Sequence, residues 1–109
     1  MRGIILAWLA AIALLALRTG QGTTSIAVLM RAARPMLLDL ADRPDLRDAA
    51  RAWQHRVDIH TAGTDHRPAD ALLIRPDAHI AWAATTGEPA VTAAPALQEA
   101  FRIWFGESR

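Results

Sequence analysis

The chain has 109 residues, 52% of them hydrophobic and 21% charged, which suits one domain with a real core and is too short for two. Twelve basic residues against eleven acidic ones leave a net charge of +1, so the charge balance gives no argument for nucleic acid or for an acidic partner. Cysteine is absent, which excludes disulfides, thiol redox chemistry and Cys-ligated metals.

Ile4 to Leu17 form an unbroken apolar run behind Arg2. A bilayer-spanning helix needs about 20 apolar residues, so this run is short for a span and closer in length to the core of a signal peptide. No small-residue cleavage site follows at Leu17, Arg18 and Thr19. The expectations are an apolar N-terminal helix buried against the domain, a membrane anchor or signal, or a stretch outside the fold.

Further along, Thr24 or Ser25 can cap a helix with Ile26, Leu29, Met30 and Ala33 on one face, and Pro35 ends it. Met36 to Leu40 is a nearly continuous apolar run, the pattern of a strand covered on both faces. Asp42 and Pro44 then open a second helix whose buried stripe is Leu46, Ala49, Ala50, Trp53 and Val57. Val57, Ile59 and Thr61 alternate with polar residues as a strand with one wetter face.

After the polar loop Gly63 to Pro68, strands at Ala71–Ile74 and His79–Trp82 flank a turn at Arg75, Pro76, Asp77 and Ala78. A loop at Gly87, Glu88 and Pro89 precedes the last helix. Thr92 is its expected cap, with Pro95 in the first turn. Leu97, Ala100, Phe101, Trp104 and Phe105 form its apolar face, and Gly106 is the stop. Helix, strand, helix, strand, strand, strand, helix implies an α/β fold: a mixed sheet with helices on both faces.

Residues able to do chemistry are few. His55, His60, His66 and His79 lack the spacing of metal ligands on one helical turn. The glycines, Gly3, Gly20, Gly22, Gly63, Gly87 and Gly106, form no phosphate-cradling motif behind a strand. Trp53, Trp82 and Trp104 fit a core better than a ligand platform. No catalytic, cofactor-binding or metal-binding residue is assigned.

Asp39 stands out as a lone carboxylate in an apolar strand. One reading is a desolvated acid available for proton transfer, whose replacement by Asn would leave stability unchanged or raise it. The preferred reading is a carboxylate that hydrogen-bonds a helix terminus or an arginine.

Arg34 to Ala41, Arg56 to His60, Ala69 to Asp77 and Ile80 to Trp82 resemble the C-terminal region of the FAD-dependent aromatic-ring and polyketide hydroxylases, flavoprotein monooxygenases of actinobacteria and their relatives. The most specific part is Leu72 to Trp82, and the resemblance runs from about Leu17 to Gly106. It implies a thioredoxin-like fold and a mainly structural domain, with FAD, NAD(P)H and the aromatic substrate handled by preceding domains. No functional residue of the family maps onto this chain. Ala78 stands where the family commonly has Gly, which implies strain of about 1 kcal/mol. Relative to true thioredoxins, Asp45 and Asp48 stand at the helix start that would carry a Cys pair, and Asp70 stands at the usual cis-proline position.

The resulting expectation is an apolar segment at residues 1–17 and a thioredoxin-like hydroxylase C-terminal domain at residues 18–109. That domain would be a truncated structural or interaction remnant, without activity or bound cofactor of its own. Flavoprotein domains or a second copy are the expected partners, with no nucleic acid. The expected location is cytoplasmic, with membrane association through residues 4–17 as the alternative.

Overall fold

The computed structural model describes residues 16–65, 67–77 and 79–106. Two short strands, β1 (Leu17–Thr19) and β2 (Gly22–Thr24), pair antiparallel across a two-residue turn closed by Gly22 at φ 112°. They were not anticipated, because three-residue strands are too short to show alternation. Helix α1 (Ile26–Leu29) follows, with the Ser25 hydroxyl accepting from the Val28 N–H at 3.3 Å. This satisfies one of the free donors at a helix start. The helix is shorter than expected. It tightens into a 3₁₀ turn at Met30–Ala32 and stops at Ala33, which is left-handed at φ 56° and exposed. Only Ile26 of its expected face is fully buried.

Strand β3 (Met36–Asp39) is buried along its whole length, as the apolar run requires. Helix α2 (Pro44–Ala50) begins with Pro44 at its first position, where a missing N–H costs nothing. Its cap is Arg43, and Asp42, expected with Pro44 to open the helix, stands before it at φ 52°. A 3₁₀ turn at Arg51–Trp53 extends the helix and keeps Trp53 on the buried stripe with Leu46, Ala49 and Ala50. Strands β4 (Asp58–Thr61), β5 (Ala71–Ile74) and β6 (Ile80–Ala84) complete the sheet, and α3 (Ala90–Phe105) closes the chain. This last helix starts earlier than expected, because Pro89 supplies the extended cap at φ −69°. Pro95 therefore lies inside the helix rather than in its first turn.

The sheet order is β4-β3-β5-β6. β3 runs parallel to β4, with α2 as the crossover, and antiparallel to β5. Leu37 pairs with Leu73 and Leu38 with Leu72. Because successive side chains alternate between faces, the two pairs enter separate cores. Leu37 and Leu73 meet Leu46, Trp53, Leu97 and Phe101 from α2 and α3. Leu38 and Leu72 meet Leu17 and Ile26 from β1 and α1. Helices thus lie on both faces of a mixed sheet, the thioredoxin-like arrangement inferred above.

The C-terminal end of α3 is anchored by aromatic rings and arginines. Trp53 stacks on Phe101 with centroids 4.8 Å apart, and its indole N–H donates to the Gly106 carbonyl at 3.0 Å. Arg56 donates to the Phe105 carbonyl. Gly106, at φ 76°, is the expected stop. Trp104 is not the core residue that its spacing suggested. It is 46% exposed, and the Arg75 guanidinium lies over its ring at 4.3 Å. The buried residues of this helix are Ala93, Leu97, Ala100 and Phe101, and the Trp104 indole lies beside that stripe, covered by a cation instead.

Membrane association through residues 4–17 is corrected here. Leu17 is fully buried in the core as part of β1, so it is unavailable to a spanning segment. Among the described residues no helix is long and apolar enough to cross a membrane. The expected N-terminal helix and the backbone at Ala78 lie outside the described residues.

Phe101→Ala should cost about 3–5 kcal/mol in urea unfolding, through lost burial and the cavity left against Trp53. Arg75→Ala should change stability by no more than about 1 kcal/mol, while shifting the tryptophan emission as the Trp104 ring loses its cover.

Candidate functional site

The end of the sheet where β3 stops and α2 begins holds the two buried acids among the described residues, Asp39 and Asp70. β3 and β5 are antiparallel neighbours, with Asp39 opposite Ala71, so the last residue of one strand lies beside the entrance to the other. Both acids are also pinned by backbone hydrogen bonds. Asp39 C=O accepts from the Ala62 N–H at 2.9 Å. The Asp70 C=O accepts from Leu40 at 2.8 Å, and its N–H donates to Ala84 at 2.9 Å.

The Asp39 side chain is completely buried. It accepts from the backbone N–H of Ala41 at 3.1 Å and of Arg43 at 2.8 Å, and from the guanidinium of Arg47. Arg47 also binds Asp42 at 2.9 Å. The structure therefore supports the preferred reading of Asp39: its partners are a helix terminus and an arginine. A buried charge is tolerable only with such partners. The left-handed backbone of Asp42 lets the chain turn back so that Arg43 N–H reaches the carboxylate.

Asp70 accepts from Gly87 N–H at 2.9 Å, from Arg67 at 3.1 Å and from Arg43 at 3.3 Å. Burial opposes its charge, yet the Gly87 amide and the two guanidinium groups outweigh that penalty and hold its pKa below the ordinary carboxylate value. Arg43 is the hub. Its guanidinium binds Asp45 at 2.6 Å, Asp70, and the carbonyl of Glu88. It likewise holds Asp45 below the usual carboxylate range. One side chain thus ties the start of α2 to the start of β5 and to the loop before α3.

Chemically the cluster is closed. Each carboxylate oxygen of Asp39 and Asp70 already accepts a hydrogen bond. Among the described residues no buried side-chain nitrogen or oxygen lacks a partner. A flavin pyrophosphate needs free backbone N–H groups at a strand-to-helix turn. Here the Ala41 and Arg43 amides of that turn are taken by the Asp39 carboxylate, which would also repel an anion. The residues of this chain do not fit FAD at that position.

The histidines do not converge. His55 is exposed beyond the 3₁₀ turn, His60 is half-buried on β4, and His79 is exposed and sits 3.2 Å from Asp77. His66 lies outside the described residues. Among the described residues no group of three or more His, Asp or Glu could hold a metal ion. Asp48 stays outside the cluster, exposed and paired with Arg51 at 2.6 Å. Hollows of about 400 Å³ and 480 Å³ flank the β1–β2 hairpin, the first lined by Thr19–Thr24, Ile59 and His60 and the second by Arg18, Asp42 and Arg67. Arg18 and Arg67 are both engaged, with Asp65 and Asp70. The sequence reading missed Arg43 and Arg67, because their partners stand far away in the chain and no local spacing marks them.

Asp39→Asn should destabilise the domain by about 3 kcal/mol at pH 7, since it leaves Arg47 without its buried counter-charge and replaces one acceptor oxygen by a donor. Chemical denaturation tests this; an unchanged or raised stability would restore the desolvated-acid reading. Asp70 makes the acid limb predictable. Its folded pKa is lowered, so its contribution is fully present above the unfolded value of about 3.9. The contribution is lost as pH falls through the lower folded value, where the unfolded chain binds more protons. Thermal melts should therefore drop below about pH 4, with a shallower drop in Asp70→Asn.

Comparison with known proteins gives this architecture a family. The pattern for the C-terminal domain of aromatic-ring hydroxylases matches residues 10–108. The chain is 38% identical over 98 residues to the 12-dehydrotetracycline 5-monooxygenase/anhydrotetracycline 6-monooxygenase of Streptomyces rimosus, covering 84% of this chain and 19% of that protein. Among solved structures it is similar to OxyS anhydrotetracycline hydroxylase from Streptomyces rimosus, with a TM-score of 0.74 at 37% identity over 87% of this chain and 20% of that one. It is also similar to CabE, an aromatic hydroxylase from angucycline biosynthesis, with a TM-score of 0.71 at 37% identity and the same coverage. The chain thus spans about a fifth of the length of these relatives. Its mixed sheet, its β5–β6 hairpin and these matches together establish that it belongs to the aromatic-ring hydroxylase C-terminal domain family.

Proposed function

We propose that this domain is a structural and interaction module of FAD-dependent aromatic-ring monooxygenases and performs no chemistry by itself. The observation that carries this reading is the use of the strand-to-helix turn. In a fold that binds a phosphate or carries a reactive group there, the first amides of the helix face the ligand. Here the amides of Ala41 and Arg43, in the turn that leads into α2, face Asp39, and the same carboxylate is closed off by Arg47. The residues are spent on joining strands, helix and loop into a rigid unit.

In this reading the flavin, the NAD(P)H and the aromatic substrate belong to other parts of the full-length relatives, and this domain packs beside them. Support for a domain start upstream of residue 18 comes from Leu17, fully buried in β1, and from the family match that reaches residue 10.

The test is direct. Purified chain mixed with FAD and then desalted should carry no flavin absorbance, and adding NAD(P)H should produce no oxidation above the buffer rate. Flavin retained in proportion to protein would overturn the proposal.

A further inference from the structure

We draw no further inference here: the strongest candidate, the surface patch of exposed Ile103 and Trp104 at the C-terminal end of α3 beside the Arg75–Asp77 turn, carries nothing because nothing in the structure shows what covers it.

Discussion

Two carboxylates buried at one end of a small sheet impose the constraint on which the remaining structure depends. Removing a carboxylate from water costs several kcal/mol unless charged partners and hydrogen bonds replace the lost hydration. Asp39 and Asp70 meet that demand by drawing in groups from separate parts of the chain: the Arg43 amide and the Arg47 side chain from the start of α2, Arg67 from the loop before β5, and the Gly87 amide from the loop before α3. Arg43 adds its own contacts to Asp45, Asp70 and Glu88. The arrangement fixes where β3 ends, how α2 leaves it, and how the loop after β6 returns. An ion pair of this kind is weak evidence for stability in itself. Its effect here is to define one geometry for three connections at once.

The two cores follow from the alternation of the central strands. β3 and β5 are buried on both faces, so each contributes leucines to both sides. The side facing α2 and α3 is built around Trp53 and Phe101, and hydrogen bonds from Trp53 to the Gly106 carbonyl and from Arg56 to the Phe105 carbonyl hold the end of α3 against it. The other side is thinner. It rests on a one-turn helix and a hairpin of two three-residue strands, with Leu17 and Ile26 as their buried contributions. Burying Leu17 makes the start of the described chain part of the fold rather than a lead-in to it.

The residues that mark the family in this protein are ones that build its sheet. The residues that carry the resemblance, from Leu72 to Trp82, form β5, its turn and β6. Within them, Leu73 is core, Arg75 lies over Trp104 and also binds Asp77, and Trp82 packs against the larger core. These are fold-bearing roles. They explain how such a segment can mark a family through its fold, while the end of the sheet beside it is filled by arginine and aspartate.

The amino-acid sequence by itself determined the apolar runs of β3 and β5, the buried stripe of α2, the Pro44 start and the Gly106 stop. Each rests on local periodicity or on the backbone limits of proline and glycine. It also marked Asp39, because a lone charge in an apolar strand is anomalous wherever the strand lies. Tertiary structure alone decided the rest. The β1–β2 hairpin is too short to leave a pattern, and Trp104 lies at the edge of the buried stripe of α3, under the Arg75 guanidinium. Arg43 became the hub only once residues 45, 70 and 88 were brought to it. Charge pairing acts through space at a few ångströms, and no spacing along the chain records which distant acid a given arginine will meet.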